Sequence, residues 1–180
     1  MLEPDKTQLR EERHHITQED FTPDSVAEPM AVQVKPVFMD FSKTVLDNSC
    51  GIGNLLCTVL CHRLQNCGTA NDAVNAVRTL YGVELMADNV QECRSRLYCM
   101  TVTAFPSIAE DSWTDRTLKS IIKNRIQWGD SLRFDYDNWP DETPWTEDDE
   151  KLMFLEPKSS EDTQYPMWHK EENDRELTLF

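Results

Sequence analysis

The chain has 180 residues, 39% of them hydrophobic, with a formal net charge of −15. That length holds one domain's core and little more. It contains no run of about 18 apolar residues, which excludes a helical membrane span. Met1-Leu2-Glu3-Pro4-Asp5-Lys6 lacks the basic-then-apolar layout of a secretory leader, so a soluble, cytoplasmic protein is expected.

The charge is uneven. Asp135 to Phe180 carries 15 acidic and 4 basic residues, a net of −11, which leaves a net of −4 for the first 134. Such a tail repels phosphate and supplies no basic footprint for autonomous DNA binding. It is either a solvated acidic tail or a surface for a basic protein partner. The six cysteines, Cys50, Cys57, Cys61, Cys67, Cys93 and Cys99, form no CxxC pair and have no histidine at ligand spacing. Reduced packing thiols are expected, and no metal site.

In chain order, residues 1–19 read as a polar arm, 20–158 as the folded domain and 159–180 as an acidic tail. The stretch Gln18 to Met30 is a loop running into a helix, capped by Thr22 with Pro23 at the first helical position, or by Asp24. Lys43–Asp47 is a short apolar strand ending in an acid. Ser49-Cys50-Gly51-Ile52-Gly53 is a tight turn holding two of the chain's five glycines, and Leu55–Leu64 is the helix after it. A second helix spans Asn71–Thr79, and a second strand spans Tyr81–Leu85. Asp88 caps a helix to Tyr98, and Thr117–Lys123 is a further helical piece. Arg125–Trp128 is a third strand leaving onto Gly129-Asp130-Ser131. Residues 135–150 form a loop rich in proline and acids, and Lys151–Glu156 is a fourth strand. Strands alternating with helices, each leaving onto a small or acidic residue, predict an α/β fold with a parallel sheet and ligands at the strand C-termini.

Those exits carry the chemistry. A glycine turn lets backbone N–H groups approach a ligand. Asp47 ahead of it suits a ligand with a cationic end. Glu84 can accept two hydrogen bonds from ribose hydroxyls, and Asp130 one from an adenine amino group. Each position has a plainer reading: an ordinary strand–helix turn, a solvated strand end, and a turn or cap at Asp130.

Four blocks in order resemble the adenine-N6 DNA methyltransferases of the type I modification-subunit kind. Phe21-Thr22-Pro23 with Val26 and Met30 is similar to their FTP segment. Val45 to Leu56, containing Asp47-Asn48-Ser49-Cys50-Gly51-Ile52-Gly53-Asn54, is similar to their D-P-x-C-G-x-G motif. Tyr81-Gly82-Val83-Glu84-Leu85 with Asp88-Asn89-Val90 is similar to their Y-G-[IV]-[ED] strand and helix, and Ile126 to Leu132 to their G-D-[SA]-L element. The resemblance implies a Rossmann-like methyltransferase sheet, incomplete in its C-terminal half, that binds S-adenosylmethionine (SAM). It implies that Phe21 and Thr22 border the pocket, and that Asp47, Ser49, Cys50, Gly51, Gly53 and Asn54 hold the methionine portion. Glu84 with Leu85 would bind the ribose, and Asp130 with Ser131 would sit beside the adenine.

The family's [ND]-P-P-[FY] motif, which holds a flipped target base, aligns with Glu156-Pro157-Lys158-Ser159. Here one proline is kept, the acid is a methylene longer and the stacking ring is absent, and Glu156 and Pro157 become the catalytic candidates. Asp137-Asn138-Trp139-Pro140 is a rival placement. The expected activity is methyl transfer from SAM to DNA adenine, with a second polypeptide supplying target recognition. The alternative is an inactive relative that binds a basic partner through its acidic surface.

Overall fold

The computed structural model describes residues 22–150. Its elements are α1 (Asp24–Phe38), β1 (Val45–Asp47), α2 (Asn54–Leu64), α3 (Ala70–Arg78), β2 (Leu80–Glu84), α4 (Ala87–Ala104), α5 (Ser107–Glu110), α6 (Ser112–Arg125), β3 (Ile126–Trp128) and a 3₁₀ turn at Glu147–Asp149. The fold is mixed α/β around a small parallel sheet of three strands in the order β1-β2-β3. Val45 pairs with Leu80 and Asp47 with Gly82, while Gly82 pairs with Ile126 and Glu84 with Trp128. No helix among the described residues is long and apolar enough to cross a membrane. The expected fourth strand Lys151–Glu156, Phe21, the arm 1–19 and the tail 159–180 lie outside the described residues.

Register sorts the side chains onto two faces. Val45, Asp47, Leu80, Gly82, Glu84, Ile126 and Trp128 share one face. Leu80 and Ile126 are fully buried there in a core with Leu56, Leu60, Val90, Leu97, Leu118, Ile121 and Ile122 from α2, α4 and α6. Burying each such side chain contributes roughly 1.5–3 kcal/mol against conformational entropy of similar size. Gly82 lets α2 approach, since a Cβ there would stand 2.8 Å from Cys50 Sγ and 3.1 Å from Leu56 Cδ1.

Leu46, Tyr81, Val83 and Gln127 share the other face, which is covered by a loop rather than a helix. The Trp139 ring meets Tyr81 edge-on at 4.8 Å and Phe134 at 5.0 Å. The Arg125 guanidinium lies 4.7 Å from the centre of the Tyr81 ring. Asn124, 4% exposed, fastens the loop. Its side chain accepts from Thr143 N–H at 3.1 Å and donates to Thr143 O at 3.0 Å, while its carbonyl accepts from Trp139 Nε1 at 2.8 Å. The segment expected only as a loop rich in acid and proline therefore covers the second face of the sheet.

Arg63 is completely buried in α2. It donates to the carbonyls of Phe38 (2.7 Å), Ala76 (3.1 Å) and Lys43 (3.1 Å), and to Thr79 Oγ1. One guanidinium thus satisfies the ends of α1, α3 and the approach to β1, where buried carbonyls need donors. Arg94 does the same for Ile126 O at 3.0 Å and Lys123 O at 3.1 Å.

Several boundaries differ from the expectations. The N-cap of α1 is Pro23, which has no side chain that can cap, rather than Thr22 or Asp24, and the helix continues through Pro29 and Pro36 to Phe38. Met86, not Asp88, precedes α4; Asp88 sits in its first turn, where a carboxylate favours the helix dipole. That helix runs six residues past Tyr98, carried by Thr101, whose hydroxyl donates back to Leu97 O at 2.7 Å. Helix α6 starts at Ser112, five residues before Thr117, because Asp111 caps it by accepting from Thr114 N–H at 3.2 Å.

Candidate functional site

The three parallel strands end at Asp47, Glu84 and Trp128, β1 two residues short of the other two, so the turns after them share the C-terminal edge of the sheet. In open parallel sheets that edge is where ligands bind. The turn after β1 is tied to β2 by Cys50 N–H donating to Val83 O at 3.1 Å, and it closes on itself through Gly53 N–H to Cys50 O at 2.7 Å. Gly51 (φ 52°) and Gly53 (φ 84°) are both left-handed, a conformation that costs an L-residue about 1–2 kcal/mol. Gly53 is also a close approach, because a Cβ there would stand 2.6 Å from Cys93 Sγ. It opens α2 with no side-chain cap, which leaves the first N–H groups of that helix for a ligand or water.

Glu84, 9% exposed, joins two of the turns. Its Oε2 accepts from Gly51 N–H at 2.9 Å. Its Oε1 accepts from Met86 N–H at 2.8 Å and from Asn89 Nδ2 at 3.5 Å. A carboxylate offers about four lone-pair sites, so the three protein donors leave room for one ligand hydroxyl rather than the two expected. Asp47 Oδ1 accepts from Ser49 N–H at 3.2 Å. Burial, and secondarily the neighbouring Glu84 charge, push the Asp47 carboxyl above its ordinary range, while the Ser49 hydrogen bond pulls the other way. Two carboxylates facing the same turn make a negative field that a cationic group would relieve.

Asn54 connects the turn to the segment before α1. Its Nδ2 donates to Thr22 O at 2.7 Å, and its Oδ1 accepts from Arg96, which also donates to Ile52 O at 2.8 Å. Thr22, predicted from sequence to border the site, is therefore held against the glycine turn. Phe21 lies outside the described residues.

On the β3 side, Asp130 makes bonds within its own turn. Its carboxylate accepts from Leu132 N–H at 3.0 Å and lies 3.6 Å from Arg133 Nε, while its carbonyl accepts from Arg133 N–H at 2.9 Å. Ser131 O accepts from the Tyr136 hydroxyl at 2.9 Å. Both residues hold the turn after β3. Trp128 is 68% exposed and donates from Nε1 to Leu85 O at 2.8 Å, and Leu85 is itself 60% exposed. An indole and a leucine thus stand open to solvent at two adjacent strand ends. Sequence reading singled out Leu85 but missed Trp128, Asn89 and Arg96. For Trp128 the signal was available: an aromatic closing a three-residue strand immediately before a Gly-Asp turn.

Cys50, Cys57, Cys61 and Cys93 are buried, and all six cysteines are free thiols. Hydrogen bonding with Cys50 and burial push the Cys93 thiol well above its ordinary range; Cys61 and Cys67, raised chiefly by burial, reach about 11. Cys61, Cys67 and Cys93 are thus inert protonated packing groups. Among the described residues no cluster of three His, Cys, Asp or Glu side chains is placed to hold a metal ion. An open depression beside α6 is lined by Asp115, Lys119, Trp145 and Glu150. Lys119 Nζ bridges two of its acids, lying 2.9 Å from Asp115 and 3.3 Å from Glu150. The catalytic candidates Glu156 and Pro157 fall outside the described residues.

No family model, no characterised protein sequence and no solved structure matches this chain.

Proposed function

We propose that the C-terminal edge of the sheet binds SAM, and that the chain is the cofactor half of an adenine-N6 DNA methyltransferase. The observation that carries the reading is the convergence of Asp47, Glu84 and the left-handed glycine turn on one point, with Thr22 fastened there by Asn54. Strand order supports it, since β3-β2-β1 is the first half of the classic doubly wound order, with the crevice at the outer side of β1. A Rossmann-like sheet with its second half supplied elsewhere is the fold that goes with this reading.

SAM carries an ammonium, a carboxylate, a sulfonium bearing the transferable methyl, a ribose and an adenine. Asp47 would offer its charge to the cationic end, and the uncapped first turn of α2 would offer N–H groups to the carboxylate. Glu84 would accept one ribose hydroxyl while keeping its bonds to Gly51 and Met86. Leu85 and Trp128 would cover the base with apolar surface. Asp130 and Ser131 would act by shaping the turn. The choice of DNA adenine rests on the resemblance of the four sequence blocks, and Glu156 and Pro157 would be the groups that receive the target.

Titration calorimetry of the purified chain with SAM tests the pocket. Binding that Asp47→Ala abolishes is expected, and the absence of binding by the native chain refutes the cofactor assignment. Transfer of labelled methyl from SAM to unmodified DNA tests the activity. SAM binding without transfer, alone or with added partner subunits, would leave a cofactor-binding relic.

One observation favours a second reading. Asp135–Glu150 holds eight acids and no basic residue. Glu142, Asp149 and Glu150 pair with Arg78, Arg125, Lys123 and Lys119, whereas Asp137, Asp141, Glu147 and Asp148 are exposed. That residual charge suits a basic protein partner. Salt-sensitive binding of a polylysine probe, lost when these four acids are changed to Asn or Gln, is the outcome this reading expects.

A further inference from the structure

We infer that Arg96 is a positioning residue of the site at the C-terminal edge of the sheet, acting through Asn54 to hold the segment before α1 against the glycine turn. The inference rests on the reading of that edge as a SAM site, and it assigns two residues that serve the site without touching the cofactor. It starts from a single nitrogen. Arg96, half-buried on α4, donates from Nη1 both to Ile52 O at 2.8 Å and to Asn54 Oδ1. Asn54, the first residue of α2, donates from Nδ2 to Thr22 O at 2.7 Å. Segments 32 and 42 residues apart along the chain are thus joined at one side-chain amide.

The chemistry of that amide permits one arrangement. A guanidinium only donates and a backbone carbonyl only accepts. Asn54 can therefore bridge the two only with Oδ1 toward α4 and Nδ2 toward Thr22, and the charge-assisted bond from Arg96 sets that orientation. Arg96 also fixes the turn itself. The peptide between Ile52 and Gly53 is held at both ends, its carbonyl by Arg96 and its N–H by Cys50 O at 2.7 Å. Glycines at φ 52° and 84° flank Ile52, so the local chain offers little resistance to a flip of that peptide. The bond to α4 supplies it.

Thr22 passes the constraint to α1. Pro23 follows it in an extended conformation (φ −64°, ψ 151°), and its carbonyl accepts from Val26 N–H at 2.8 Å and Ala27 N–H at 2.9 Å to begin the helix. Those two amides report whether the start of α1 is held. Ala31 and Phe38, both buried, keep the rest of α1 in the core, so losing the clamp frees the start of the helix and not the whole of it. Two substitutions separate this role from a structural one. Asn54→Asp keeps an acceptor for Arg96 and puts a carboxylate in the first turn of α2, where the helix dipole favours it. It removes the donor to Thr22 and sets an oxygen against that carbonyl. Arg96→Met keeps the apolar stem and removes the cation. SAM carries two cationic groups and one carboxylate, so each change in charge, taken alone, favours binding. A loss of affinity therefore reports position and not charge.

The test is titration calorimetry with SAM, together with residue-resolved hydrogen exchange without ligand, on the full chain. Both variants are expected to raise the SAM dissociation constant at least ~tenfold. Both should speed exchange of the Val26 and Ala27 amides by a similar factor, while Asp115 N–H, bonded to Asp111 O at 2.9 Å at the start of α6, exchanges as before. Asn54→Asp should do this without lowering the melting temperature. If circular dichroism shows Arg96→Met to be unfolded, Asn54→Asp carries the comparison. Unchanged exchange at Val26 and Ala27 overturns the clamp. Faster exchange with native SAM affinity overturns its service to the site, as does an affinity loss that comes only with a lower melting temperature. Absence of SAM binding by the native chain refutes the cofactor reading itself, and the positioning role with it, whatever the exchange shows.

Discussion

Replacing Gly53 by alanine separates two penalties that act on the same atom. The first is conformational: φ is 84°, and holding an L-residue in the left-handed region costs about 1–2 kcal/mol. The second is steric: the new Cβ would stand 2.6 Å from Cys93 Sγ and 3.4 Å from Cys93 Cβ. Contact that close forces α2 or α4 to shift, and overpacking of a tight core costs about 1–3 kcal/mol. Gly53→Ala should therefore lose about 2–5 kcal/mol in urea unfolding, enough to threaten a domain of ordinary stability. Only the steric part depends on the thiol. In a double-mutant cycle with Cys93→Ala, the coupling should recover about 1–3 kcal/mol and leave the conformational part behind. A loss below about 1 kcal/mol, or a cycle that closes with no coupling, would refute the placement of the glycine turn on α4.

Three further outcomes follow from the same geometry. The Asp47 carboxyl is raised above its ordinary 3.8, chiefly by burial, so folding favours its protonated form, and the stability this contributes is lost as pH rises through the folded-state value. Asp47→Asn, which keeps an acceptor for Ser49 N–H, should melt above the native chain at neutral pH, with the gap closing below about pH 3. A gap that does not change with pH contradicts this. Arg63→Ala takes the guanidinium donor from four acceptors, of which Ala76 O keeps the Thr79 hydroxyl at 3.1 Å, and should cost about 3 kcal/mol or more. Arg63→Lys should not rescue it, since one ammonium cannot span the carbonyls of Phe38, Ala76 and Lys43. Thr69→Ala breaks the reciprocal cap in which Thr69 Oγ1 accepts from Asp72 N–H and Asp72 accepts from Thr69 N–H at 2.9 Å. It should cost about 1 kcal/mol of helix stability, read as loss of ellipticity and a lower melting temperature.

The local code was enough to fix the glycine turn after β1, the acid closing each of the first two strands, and the amphipathic runs of α2 and α3. Short-range constraints write these directly: φ beyond the reach of most side chains at Gly51 and Gly53, and helical periodicity in Ala73, Val74, Ala76 and Val77. Helix ends were read less well, because Pro23, Met86 and Asp111 occupy them for reasons of tertiary fit and capping geometry rather than period. Other features have no local signature. That Arg63 is a buried strut and not a surface cation depends on three carbonyls brought together from residues 38, 43 and 76. That Phe134 and Trp139 cover the second face of the sheet, inside a segment whose composition reads as loop, depends on Tyr81 and Asn124 lying beneath them. At the candidate site the sequence identified Asp47 and Glu84 as acids at strand ends. Tertiary structure alone decided that Glu84 already serves Gly51, Met86 and Asn89, that Asn54 holds Thr22 to the turn, and that Trp128 stands open beside Leu85. Strand exits can be read along one chain; which of them share donors is settled only where separate segments meet.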